Sequence, residues 1–204
     1  MRQLGVVPLT FLLSASAAFG GVAEERDGIA AALALAPGMT VADVGAGDGR
    51  YSVALAERVG PGGHVYATEV DAAEIDRITA RARDEGLGNL TAVFGGQEDT
   101  GLAAGCCDAI LLRLVYHHFT DTAAMRRSLW NALRAGGRIA VIDVPPRKSW
   151  RQLQGVPDRG GHGIEIAELV RDMSASGFEV VAKDEDWPAE DDAYLVVFRR
   201  PPGT

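Results

Sequence analysis

Residues 43–49, Asp-Val-Gly-Ala-Gly-Asp-Gly, set three glycines on alternate positions between a strand-like apolar run and a helix-like run. Glycine takes positive φ and carries no Cβ, so a turn of this kind lets a ligand approach backbone amides closely. Polar residues at the ends of the next two apolar runs could read such a ligand. Glu69 ends the first of them, just before Val70, where a carboxylate accepts hydrogen bonds from both hydroxyls of a ribose. Gly95-Gly96-Gln97-Glu98-Asp99 ends the second, with polar groups that can meet an adenine edge. Asp43, directly before the turn, can orient its amides or reach the ligand through water.

The glycine spacing discriminates between nucleotides. A dinucleotide loop runs G-x-G-x-x-G, with the pyrophosphate resting on a helix N-terminus. Here the third glycine, Gly49, comes one residue early, and Arg50 stands in the expected place. Asp43 and Asp48 would repel a diphosphate and suit a ligand with a cationic end. A sulfonium nucleoside with an amino-acid tail fits; a dinucleotide oxidoreductase is disfavoured.

A second group of reactive side chains follows the later apolar runs: Tyr116, His117 and His118, then Asp143, then His162 among Gly160, Gly161 and Gly163. His117 or His118 could take a proton near neutral pH; both equally suit packing and hydrogen bonding to the next helix. The segment around His162 reads either as a lid or as a linker. Trp150 is a candidate for an acceptor pocket, and Trp187 reads as surface packing. No metal site is expected, because metal motifs need several spaced ligands and the two cysteines, Cys106 and Cys107, are adjacent. A bridge between neighbours would be strained, so no disulfide is expected either.

Alternating helical and strand periods must position these residues. Helices are predicted over residues 24–35, 51–59, 71–84, 120–133 and 165–176, and strands over 40–44, 64–69, 90–94, 108–114, 138–144, 178–182 and 194–198. Asp71 and Thr120 or Asp121 are the cap residues, and glycine-rich breaks supply the stops. Such alternation implies a parallel sheet covered on both faces. The last two strands have no helix between them and should form a hairpin, with one strand antiparallel to the rest. The chain of 204 residues suffices for one domain, and its net charge of −8 does not favour a nucleic-acid backbone as partner.

The first 21 residues are separate in kind. Arg2 precedes an apolar stretch, residues 4–13, which runs into small residues with small-x-small sites at Ala15-Ser16-Ala17 and Ala18-Phe19-Gly20. This is the layout of a secretory signal, with an uncleaved anchor or a cytosolic tail as alternatives. Residues 1–21 are therefore set apart from a domain over 22–204, and the expected location is periplasmic or secreted, alternatively cytoplasmic. No membrane contact is expected beyond that N-terminal anchor.

The runs VADVGAGDG, VYATEVD, CCDAILLRLVYHHF and LRAGGRIAVID, with the terminal hairpin, resemble a class I S-adenosylmethionine-dependent methyltransferase over residues 25–200. Within that class the chain is most similar to small bacterial exported methyltransferase-like proteins. The resemblance implies a Rossmann-like, doubly wound α/β sheet of seven strands in the order 3-2-1-4-5-7-6, with strand 7 antiparallel. It implies S-adenosyl-L-methionine as cofactor, with Asp43, Gly45, Ala46, Gly47 and Gly49 near its methionine part. Glu69 and Val70 would meet the ribose, and Gln97 and Glu98 the adenine. The sequence departs from the pattern at Gln97, where an acidic residue is usual, and at Arg113, where a small, polar or acidic residue is usual. Arg113, counted among the cofactor-binding residues, would need a carboxylate partner beside a sulfonium: Asp48, Glu69 or the substrate. The implied reaction is methyl transfer to a small-molecule acceptor, less readily a protein side chain, with His117 and His118 as the candidate catalytic residues. The alternative is a module that binds the cofactor or S-adenosylhomocysteine without transfer.

Overall fold

In the computed structural model, residues 14–149, 151, 154–189 and 191–203 are described. Residues 1–13 of the expected export signal and Trp150 lie outside them. A first helix, α1 (Ser14–Ala32), starts within the expected signal and runs on without a break. Seven strands follow: β1 (Thr40–Val44), β2 (His64–Glu69), β3 (Leu90–Phe94), β4 (Cys107–Arg113), β5 (Leu133–Asp143), β6 (Glu179–Asp184) and β7 (Tyr194–Arg199). Between them lie α2 (Arg50–Val59), α3 (Ala72–Asp84), α4 (Thr122–Ala132) and α5 (Ile166–Ala175). Asp71 and Asp121 cap α3 and α4, accepting hydrogen bonds from the amides of Ala73 and Ala124 at 2.8 Å.

The strands form one sheet in the order β3-β2-β1-β4-β5-β7-β6. β1 through β5 pair in parallel, and β7 runs antiparallel to β5 and β6. The order and the terminal hairpin are as expected. Period-two alternation divides the central strands between two cores. Val41, Leu111 and Ile142 face α1, α2 and α3 with Ile29, Leu55 and Ile78. Ala42, Ile110, Leu112 and Val141 face α4 and α5 with Leu129, Leu169 and Met173. Long apolar runs in β4 and β5 are thus explained by burial on both faces.

Three local readings are corrected. Trp187 is buried, its ring lying where a Cβ on Gly28 of α1 would fall 2.6 Å away. Strand β5 begins at Leu133, immediately after α4, with the Gly136-Gly137 pair inside it and a register shift opposite Cys107 and Ala109. Cys106 and Cys107 are placed as a vicinal disulfide, where none is expected from sequence.

The outer strand β6 is exposed along its length, whereas Leu111 at the centre of β4 is inaccessible. Leu111→Ala should therefore lower unfolding stability by about 2–5 kcal/mol in urea titrations. Val181→Thr should change it by no more than about 0.5 kcal/mol.

Candidate functional site

Parallel pairing brings the carboxyl ends of β1, β2 and β4 to one edge of the sheet, where ligands of open α/β sheets bind. The glycine turn leaves β1 there. The amides of Gly45 and Ala46 both donate to the Thr68 carbonyl of β2, at 2.9 and 3.1 Å. Gly45 has φ 72°, and a Cβ on it would lie 2.3 Å from Cγ2 of Val115, so the turn and the segment after β4 touch through it. Gly47 has φ 55° and nothing within 4 Å of where its Cβ would be. That side of the turn is open. Gly49, by contrast, faces Ile78 of α3 at 3.0 Å, so its missing side chain serves packing. Ala46 packs against the same core.

Glu69 is held in place before any ligand arrives. Its carboxylate accepts from the Gly47 amide at 3.2 Å and from the Val70 amide at 2.7 Å. It lines a cavity of about 370 Å³ with Gly45, Val70 and Gln97 on one side, and with Val115, His118, Phe119 and Met125 on the other. Gln97 lies on that wall, and Glu98 does not. Asp99 takes that position, and its Oδ1 also accepts from the Gly101 amide at 2.8 Å to shape the turn. The apolar wall was missed because Val115, Phe119 and Met125 read from sequence as ordinary core.

Charge is distributed differently from the sequence expectation. Asp48 is engaged by Arg50 at 3.0 Å and Arg81 at 3.5 Å, and the hydrogen bond from Arg50 holds its carboxyl below the usual range. It is not a free carboxylate for a cation. Asp43 is buried beneath the turn, accepting from the Ser52 hydroxyl at 2.6 Å. Burial pushes its pKa up to about 6, against the opposing pull of Ser52 and Arg113. Arg113 does not pair with Asp48 or Glu69 and is not on the cavity wall. Its guanidinium bonds both oxygens of buried Glu25 in α1, at 2.8 and 3.2 Å, and lies 4.5 Å over the Tyr51 ring. Tyr51 donates its hydroxyl to the same carboxylate. Glu25 carries no sequence signal, since an acidic residue early in a helix reads as solvent-facing.

The histidines occupy a single 3₁₀ turn, Tyr116–His118, and the loop after β5. Nδ1 of buried His117 lies 2.5 Å from Asp143 Oδ1, and Asp143 also accepts from the amides of His117 and Val144. His118 lines the cavity, and its Nε2 faces Nε2 of His162 at 3.1 Å. Burial, then the neighbouring His117 and His162, push the His118 pKa down to about 4, which keeps it neutral. The loop carrying His162 is not a loose linker: Arg147 and His162 exchange backbone hydrogen bonds of 2.9 and 3.2 Å.

The raised pKa of Asp43 has a sign that can be checked. Between about 4 and 6 the folded protein binds more protons at Asp43 than the unfolded chain, so this group's contribution to stability falls as pH rises through that window. Asp43→Asn should accordingly gain on the order of 1–3 kcal/mol over the unsubstituted protein above about pH 7, and nothing near pH 4. Thermal melts across pH read the difference; a gap that does not vary with pH would contradict the buried-carboxylate assignment.

Comparison with known proteins places this geometry. The family model described as "Methyltransferase domain" matches residues 35–185. A nocamycin O-methyltransferase from Saccharothrix syringae is 32% identical over 129 residues, 63% of this chain and 46% of that protein. An arsenite methyltransferase from Halobacterium salinarum is 29% identical, over 80% of this chain and 46% of that protein. This chain thus spans under half the length of these curated relatives. Among solved structures, a SAM-dependent methyltransferase from Aquifex aeolicus superposes with a TM-score of 0.70 at 21% identity, covering 86% of this chain and 89% of that one. The [4+2]-cyclase SpnF superposes with a TM-score of 0.73 at 17% identity, covering 88% and 82%. Taken with the sheet order and the glycine turn, the match shows that the chain belongs to the methyltransferase domain family, whose cofactor is S-adenosyl-L-methionine.

Proposed function

We propose that this domain transfers a methyl group from S-adenosyl-L-methionine to a small-molecule acceptor. The observation that carries the reading is the preset Glu69 carboxylate beside the open Gly47, on the wall of a cavity at the sheet's carboxyl edge. The residues present fit the cofactor. Glu69 would hold the ribose hydroxyls, Gln97 and Asp99 the adenine end, and the glycine turn the methionine part. Glu69, with Asp43 beneath the turn, supplies negative charge suited to a sulfonium, while Arg113 is neutralised by Glu25. When bound, the cofactor brings an already activated methyl group, so this chain's task is alignment and exclusion of water.

Acceptor chemistry follows from the other wall. Val115, Phe119 and Met125 are apolar, which suits a small organic acceptor. Relatives named for nocamycin O-methylation, arsenite methylation and ubiquinone/menaquinone C-methylation support a small-molecule acceptor. His118 is a weak base when its pKa stands near 4, and His117 is buried and off the cavity wall. Neither is poised to take a proton unaided, which favours an acceptor that ionises easily or is already nucleophilic. We also infer export, supported by Arg2, the apolar residues 4–13 and the small residues that follow. A mature N-terminus just after Ala17 or Gly20 is the expected mass-spectrometric result, and intact Met1 in soluble cytosol would contradict it.

Incubation with methyl-labelled cofactor and a panel of phenolic, enolic and thiol acceptors tests transfer. Labelled small-molecule product is expected, reduced at least tenfold in Glu69→Ala through a higher KM for cofactor. Retained cofactor binding with label in no product would favour the module that only binds.

A further inference from the structure

No metal site is expected from the spacing, yet the fold gathers His117, His118 and His162, each offering a ring nitrogen within 4.8 Å of the others. Two of these residues are adjacent, and the third is 44 positions further along the chain. We infer that the three imidazoles form a binding site for a first-row transition metal ion, zinc being the first to test, with an open position facing the acceptor end of the cavity.

The tautomers support this. Nδ1 of His117 is engaged with the Asp143 carboxylate, which fixes the lone pair on Nε2. That Nε2 is buried and has no hydrogen-bond partner among the described residues. His117 is only 2% exposed, so an orphaned nitrogen there is costly unless something coordinates it. Nδ1 of His162 donates to the Arg151 carbonyl at 2.9 Å, which leaves its Nε2 as the second lone pair. The Nε2 atoms of His162 and His118 stand 3.1 Å apart. Two imidazoles on one tetrahedral zinc, each at about 2.0–2.1 Å, place their nitrogens about 3.3 Å apart.

An outer shell is also present. Metal-bound histidines usually donate their other nitrogen to a carboxylate or a carbonyl, which orients the ring and raises its basicity. Asp143 does this for His117, and the Arg151 carbonyl for His162. The loop is pinned to keep His162 there. A Cβ on Gly161 would lie 2.9 Å from the Arg147 backbone, and one on Gly163 would lie 2.5 Å from the Pro145 carbonyl oxygen. Three nitrogen ligands with one position left open is the arrangement of reactive zinc sites, where the ion lowers the pKa of a bound hydroxyl or thiol. That the open position serves the acceptor rests on the methyltransferase reading; the metal site itself does not.

The test uses tag-free full-length protein stripped with chelator and titrated with Co2+ as a visible probe, then with Zn2+ in competition. One equivalent of Co2+ should bind with the intense visible absorption of four- or five-coordinate ions, and Zn2+ should displace it. His118→Gln and His162→Gln should each weaken binding at least tenfold while far-UV circular dichroism stays unchanged. Absence of stoichiometric uptake, or uptake by either variant equal to that of the unsubstituted protein, would overturn the site. S-adenosylhomocysteine titrated into the same stripped samples reads the cofactor site separately, so intact nucleoside binding without metal uptake sinks only the metal proposal.

Discussion

The constraint on which the site depends is the burial of β1 on both faces and along both edges. Val41 and Ala42 are inaccessible, and the strand pairs in parallel with β2 and β4 at once. β1 ends at Val44, one residue short of the ends of β2 and β4, and Gly45 and Gly47, both at positive φ, turn the chain away from the sheet there. Because its neighbours run the same way, their ends meet there too: Glu69 from β2 and the Val115 segment from β4 reach the same few ångströms. Site assembly is thus a consequence of sheet topology.

Electrostatic balance at that edge is shared with the N-terminal helix. A partly buried guanidinium beside a site for a sulfonium would be unfavourable if it were uncompensated. Glu25 compensates Arg113 with two hydrogen bonds, and Tyr51 donates to the same carboxylate. The pair ties α1 to the end of β4, and with Asp48 engaged by Arg50 and Arg81 the negative charge near the turn falls to Asp43 and Glu69. Asp43 remains partly protonated near neutral pH because burial outweighs its hydrogen bond to Ser52. Removing one member of such a buried network exposes the others to desolvation without compensation.

Much of this could be read in the sequence. Period-two and period-3.6 patterning locates the strands and helices, and a final hairpin without an intervening helix makes one strand antiparallel. The glycine turn, Glu69 and Gln97 were identifiable because backbone freedom and strand-end position leave a local signature. What escaped were relations across long separations. Arg113 finds Glu25 88 residues earlier, and His118 finds His162 44 residues later. Neither has a spacing rule to reveal it. Asp99 instead of Glu98 on the wall depends on the turn bonds around Gly96 and Gly101, and Trp187 is buried only because Gly28 leaves room for its ring.

The central claim is that Glu69, preset by the glycine turn, reads a ribose. Calorimetry with S-adenosylhomocysteine and its 2′-deoxy analogue, on the unsubstituted protein and on Glu69→Gln, tests it most directly. The account predicts at least a tenfold loss for the deoxy ligand on the unsubstituted protein, and little further loss on the variant. Equal loss of affinity for the deoxy ligand in both proteins would show that Glu69 does not meet the hydroxyl and would contradict the account.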